Sequence, residues 1–172
     1  MARGFTLSGI GHERADDIER LLQDRLVALI DLQLTLKHIH WNVVGPQFIA
    51  VHEMLDDGVD EVREMSDEVA ERIAALGGVP VGTPGHVSAN RAWEDYPIGR
   101  ADTQVHLAKL DRVLAGVNTS HREAVGRLDE LDLVTQDLLI GQLSKLEKLQ
   151  WFVRAHLSDA DGNLPEGASD GA

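Results

Sequence analysis

Residues 36–56 read LKHIHWNVVGPQFIAVHEMLD, and they join two helices end to end. Upstream, Ile18, Leu22, Leu26, Leu29 and Ile30 recur at the three- and four-residue intervals of one helical side. The spacing predicts a first helix from about Asp16 to Trp41-Asn42. Gly45-Pro46 ends it, and Pro46 can open the next helix, where its missing N–H is not needed. That second helix continues to Ala75 and stops at Gly77-Gly78-Val79-Pro80.

Residues 79–100 carry three of the five prolines and form one long connection, with room for a short helical turn around Ser88 to Trp93. A third helix begins near Asp102 or Thr103, either able to cap it, and uses Val105, Leu110, Val113, Leu114, Val117 and Val125. A fourth runs from Asp132–Thr135 to about Leu157, with Leu139, Leu143, Leu146, Leu149 and Phe152 inward. The expected fold is all-α. Short outer joints around one long middle crossover give the connectivity of ferritin-like four-helix bundles. The bundle is expected over 16–157, between a flexible extension at 1–15 and an acidic mobile tail at 158–172.

At 172 residues and 18.8 kDa the chain suits one domain with its own core. It has no cysteine, which excludes disulfide scaffolds, thiolate metal sites and cysteine nucleophiles. No stretch approaches 18 uninterrupted apolar residues and no signal-type apolar segment opens the chain, so a cytoplasmic protein with no membrane partner is expected. The net charge of −13 and pI near 4.9 favour cations over phosphate backbones as ligands.

The second helix concentrates that charge. Most of its carboxylates are expected on a solvated face, but His52 with Asp56, and Asp67 with Glu71, stand four residues apart, the spacing at which helical neighbours can share a cation. Imidazole with hard oxygens and no sulfur suits Fe²⁺, Mn²⁺ or Zn²⁺. The two pairs differ by only about 20° around the helix yet lie roughly 16 Å apart along it. One metal centre cannot bridge them. An antiparallel second copy, with a two-fold axis near Glu61 and Val62, sets His52 and Asp56 of one chain opposite Asp67 and Glu71 of the other, and two sites per dimer follow. None of the eight histidines has Glu three residues before it, so a diiron centre inside one bundle is not encoded. The remaining ligand candidate lies at the end of the first helix, in the stretch Leu36–Val43 with His38 and His40, where a histidine is also favoured by the helix dipole alone.

Three stretches now carry a family resemblance: Lys37-x-x-His40-Trp41-Asn42-Val43-x-Gly45-x-x-Phe48, His52-Glu53-Met54-Leu55-Asp56, and Asp67-x-x-Ala70-Glu71-Arg72-Ile73. The chain resembles the Dps mini-ferritins of bacteria. The resemblance implies a hollow shell of twelve four-helix subunits with ferroxidase sites at the two-fold interfaces. It implies His40, His52 and Asp56 from one chain and Asp67 and Glu71 from its partner as iron ligands. It also implies oxidation of Fe²⁺ with hydrogen peroxide or oxygen, and storage of the ferric mineral. Trp41 and Trp151 are expected either as electron donors beside the site or as bulky core aromatics. Asp129, Asp132 and Asp137 are expected at an iron-entry pore, or as a helix cap with solvated neighbours.

Basic terminal extensions are wanting: residues 1–15 carry only Arg3 and Arg14, and the C-terminal tail is purely acidic. DNA binding is therefore expected to be weak or absent, with nucleoid association left open. A DNA-compacting nucleoid protein and a metal-dependent hydrolase at the same interfacial site are the rival readings.

Overall fold

The computed structural model describes residue 7 and residues 9–164. Five helices follow in order: α1 (His12–Asn42), α2 (Phe48–Ala75), α3 (Pro84–Asn90), α4 (Thr103–Leu128) and α5 (Leu133–Leu157). Two two-residue strands, β1 (Val43–Val44) and β2 (Ala101–Asp102), pair in parallel with Val43 opposite Ala101. The bundle is all-α and ferritin-like, as expected from the joints. Residues 1–6, 8 and 165–172, which hold half of the two expected terminal extensions, lie outside the described residues.

Three boundaries differ from the sequence reading. α1 begins at His12, four residues before Asp16, with Glu13 in its first turn beside the positive helix end and Ala15 N–H donating to Gly11 O at 3.0 Å. Pro46 lies outside α2. Gly45 (φ +97°) and Gln47 (φ +66°) reverse the chain within one tight turn, so the second helix starts at Phe48. A Cβ at Gly45 would stand 2.5 Å from Asp102 Oδ2, so both backbone conformation and space demand glycine. The short crossover helix lies at Pro84–Asn90, ahead of Ser88–Trp93, because Pro84 presets the first helical φ. α4 and α5 start where their caps dictate: Asp102 accepts from Gln104 N–H and Asp132 from Thr135 N–H.

α1 packs along α2 and α4 along α5, with a continuous core between the pairs that includes Leu22, Leu29, Leu36, Leu55, Met65, Leu110, Leu114, Leu139 and Leu146. The pairs meet closely at Gly58, where an added Cβ would come within 3.3 Å of Leu149. Val105, counted on the inner stripe of the third helix, is exposed in the first turn of α4. Ile30, Val125 and Phe152 are half-buried.

The long crossover lies along α1 through polar contacts. Gln23 exchanges two hydrogen bonds with the backbone of Val81 (2.8 and 2.9 Å), Glu19 accepts from Val79 N–H, and Arg91 grips Asp31 with Nε and Nη2 at 3.0 and 2.9 Å. His38 Nε2 reaches Ile98 O at 2.7 Å. Asp31 is buried, so this two-pronged pair satisfies a carboxylate that would otherwise be costly inside the fold.

A second buried cluster is less complete. Arg25 Nη1 donates to Ser120 Oγ at 2.6 Å, while Arg25 Nε and the neighbouring His121 Nε2 find no protein partner. Burial first, and then the positive charge of Arg25, push the His121 imidazole down to about 4. His121 is therefore neutral when folded, whereas in the unfolded chain it takes a proton near pH 6.5. Stability from this residue is complete above pH 6.5 and is lost as pH falls toward 4. Between pH 7 and pH 4.5 the loss is roughly 2 kcal/mol. We expect His121→Leu to shrink the acid-induced loss of stability by about that amount, read from denaturant midpoints at the two pH values.

Candidate metal centre

The turn between α1 and α2 brings together residues that the helices alone would keep apart. His40 sits in the last turn of α1 and His52 in the second turn of α2, and their rings stack with centroids 3.6 Å apart. Each ring bonds the other residue's backbone: His40 Nδ1 lies 3.0 Å from His52 O, and His52 Nδ1 lies 3.0 Å from His40 O. A carbonyl oxygen only accepts, so both Nδ1 atoms carry the proton. The lone pair of each neutral ring then sits on Nε2, ready for a metal. The same bonds satisfy a carbonyl at the C-terminal end of α1, where helices leave acceptors unpaired.

Asp56 completes the cluster one turn after His52. One ligand atom each from His40, His52 and Asp56 lies within 4.8 Å of the others, the one such group among the described residues. His40 is buried, His52 and Asp56 half-buried, so the cluster has a protein-facing back and an open front. Phe48 backs His52 with its ring centroid 5.0 Å away. The hydrogen bond from the Lys37 ammonium, assisted by the nearby imidazoles, holds the Asp56 carboxyl below its usual range. Asp56 is thus an anion, as a metal ligand must be.

Asp67 and Glu71 stand elsewhere. α2 runs unbroken from Phe48 to Ala75, which puts Asp67 about 16 Å beyond Asp56 along its axis. Both side chains are exposed, and Asp67 lines an open groove with Leu26, Ile30, Asp60 and Arg63. Within one chain the centre therefore has three candidate ligands, with its open front toward solvent.

Trp41 and Trp151 are 70% and 64% exposed in the single chain, so neither is a core aromatic there. Trp151 packs on Phe152, with centroids 5.1 Å apart. Among the three pore candidates, Asp129 and Asp137 are exposed, while Asp132 is tied down. Its carboxylate receives Arg72 Nη2 at 2.6 Å, Thr135 N–H at 3.0 Å and the Thr135 hydroxyl. Burial opposes its ionisation, but those bonds outweigh burial and hold its pKa low. Asp132 serves as the cap of α5.

The residue to which the sequence reading gave no role is Lys37. Its Nζ forms an ion pair with Oδ1 of Asp56, one of the three clustered residues. The signal was present in the motif itself, since Lys37 and His40 are three apart on α1 and so share a face.

Comparison with known proteins agrees with this architecture. The family described as the ferritin-like domain matches residues 19–162. The DNA protection during starvation protein of Mycolicibacterium smegmatis is 54% identical over 160 residues, 93% of this chain and 87% of that protein. The fine tangled pili major subunit of Haemophilus ducreyi is 48% identical over 159 residues, 92% of this chain and 84% of that protein. Among solved structures, DpsA14 from Streptomyces coelicolor superposes with a TM-score of 0.92 at 59% identity, covering 94% of this chain and 96% of the other.

The reciprocal imidazole–carbonyl pair fixes a checkable detail. Neutron diffraction from perdeuterated crystals grown near pH 8 is expected to show deuterium on Nδ1 of both His40 and His52. Deuterium on Nε2 of either ring would contradict the assigned tautomers.

Proposed function

Because the chain belongs to the Dps family of ferritin-like proteins, we propose that it is an iron-storing ferroxidase whose active sites form between two subunits. The observation that carries the reading is the cluster of His40, His52 and Asp56, with both imidazoles oriented to offer Nε2. In this reading the groups missing from the front of the cluster are Asp67 and Glu71 of the partner subunit. An antiparallel two-fold pairing of α2 supplies them twice over, giving two equivalent sites per dimer. Six such dimers close the hollow shell of twelve subunits, and the bundle of residues 16–157 carries all the ligands. The extensions at 1–15 and 158–172 are assigned no part in the chemistry.

Iron is the substrate. Fe²⁺ binds with imidazole nitrogen and carboxylate oxygen, a donor set suited to both oxidation states, and the carboxylates favour the more highly charged Fe³⁺. Two Fe²⁺ each give one electron to hydrogen peroxide. The O–O bond breaks, two protons are taken up, and two waters and two Fe³⁺ result. Oxygen is the slower alternative oxidant. The chain's own task is to place the ligands, keep both His rings in the metal-binding tautomer, and admit the oxidant through the open front. The ferric product passes to the interior of the shell as mineral, which removes both reactants of hydroxyl-radical chemistry.

Asp129 and Asp137 are the carboxylates proposed to draw Fe²⁺ into the shell, since they are exposed beside the turn before α5. Asp132 shapes that turn through its bonds to Arg72 and Thr135. Trp41 and Trp151 remain proposed electron donors near the site. The acidic chain is proposed to bind DNA weakly at most and to act in the cytoplasm, protecting DNA by consuming iron and peroxide.

The test is anaerobic loading of the assembled protein with Fe²⁺, then addition of peroxide with absorbance followed near the ferric-oxo band. Rapid oxidation is expected in the wild type, falling by at least about 100-fold in a His52→Ala/Asp56→Ala double variant that still assembles, since two of the five proposed ligands are gone. Equal slow rates in both would defeat the reading and favour a hydrolase at the same ligands.

A further inference from the structure

In the structure the carboxylate of the cluster already has a cationic partner, supplied by the protein itself. Lys37 extends from α1 to place Nζ on Asp56 Oδ1, and that oxygen is also 3.4 Å from His40 Nδ1. Asp56 is the one ion-pair partner of Lys37 among the described residues. We infer that Lys37 is the resident counter-ion of the metal centre: its ammonium occupies the place of a cation while the site is empty and must leave Asp56 before a divalent ion is held there. This rests on His40, His52 and Asp56 being metal ligands, and it adds what sets their affinity.

Three physical points support it. A lysine ammonium and a divalent cation repel each other and compete for the same carboxylate oxygen, so binding is an exchange of one cation for another. The exchange needs no backbone movement. Lys37 is about one-third exposed and Asp56 about one-half, and the four-carbon stem of a lysine can swing into solvent by changing rotamers. Finally, the pair gives the empty site a partner for its anion. In the proposed dimer, Asp56 faces Asp67 and Glu71 of the partner subunit. Three carboxylates converging without a cation would repel one another, and the Lys37 ammonium offsets part of that repulsion until metal arrives. Monovalent and weakly held cations cannot displace it as effectively as Fe²⁺ can. The lysine therefore sets a threshold for occupancy, at the cost of some affinity.

The effect has a sign that general damage would not produce: removing Lys37 should make metal bind more tightly. The probe is Co²⁺, whose visible bands report imidazole and carboxylate ligation without turnover. Titrations would compare assembled wild type, Lys37→Met, Lys37→Gln, Lys37→Arg and His52→Ala/Asp56→Ala, with assembly checked by size exclusion. We expect the two neutral variants to bind Co²⁺ about ten-fold more tightly than wild type, Lys37→Arg to stay close to wild type, and the double variant to lose binding. Unchanged or weaker binding in an assembled Met or Gln variant, with the wild type still binding and the double variant not, overturns the counter-ion role alone. No binding in the wild type but binding in the neutral variants supports the inference in its strongest form. No Co²⁺ ligation in any of them removes the metal-site reading and this inference together.

Discussion

A straight α-helix cannot bend back on itself, and α2 is unbroken over 28 residues. Everything proposed about this protein depends on that stiffness. It holds His52 and Asp56 near one end of a helical stripe and Asp67 and Glu71 about 16 Å away on nearly the same side. Each end alone is an incomplete set of ligands. In the proposed dimer, rigidity turns a monomer's defect into a reason for pairing: two incomplete ends would become two complete sites once a second helix lay antiparallel to the first.

The local structure supports the same end of the helix with more than one constraint. Gly45 and Gln47 turn the chain tightly enough to bring the last turn of α1 against the second turn of α2. The β1–β2 pair and the contact of Asp102 with Gly45 tie that turn to the start of α4. Within this frame each histidine ring bonds the other residue's backbone carbonyl, so neither ring can rotate without breaking its own anchor. Ligand orientation is built into backbone geometry, and the tautomer follows from it.

Much of this was legible in the sequence. Four long helices, the single long crossover and the i,i+4 pairs follow from apolar spacing, proline placement and charge, because these are local signals. The axial-rise argument needed nothing beyond helix geometry. What escaped was decided by tertiary contacts or by sites where two turn chemistries compete. Pro46 looked like a helix opener, but the left-handed Gln47 after it postponed α2 to Phe48. Val105 fits an apolar stripe by spacing yet faces outward. Asp132 was readable as a helix cap, but its bond to Arg72, 60 residues earlier, was not. Lys37 is the clearest case: its place on the face of His40 was legible, but its pairing with an aspartate 19 residues later is made only by the α1–α2 packing.

The central claim, a site shared between two chains, is tested most directly by complementation. Two inactive variants, His52→Ala/Asp56→Ala and Asp67→Ala/Glu71→Ala, would be unfolded together, refolded as mixed dimers and assayed for peroxide-dependent Fe²⁺ oxidation. A mixed dimer of these two contains one site with all its ligands and one that keeps only His40. Random pairing should therefore restore about a quarter of wild-type activity. Mixed assemblies as inactive as either parent would mean that the four residues do not meet across the two-fold axis, and the account of the site would be wrong.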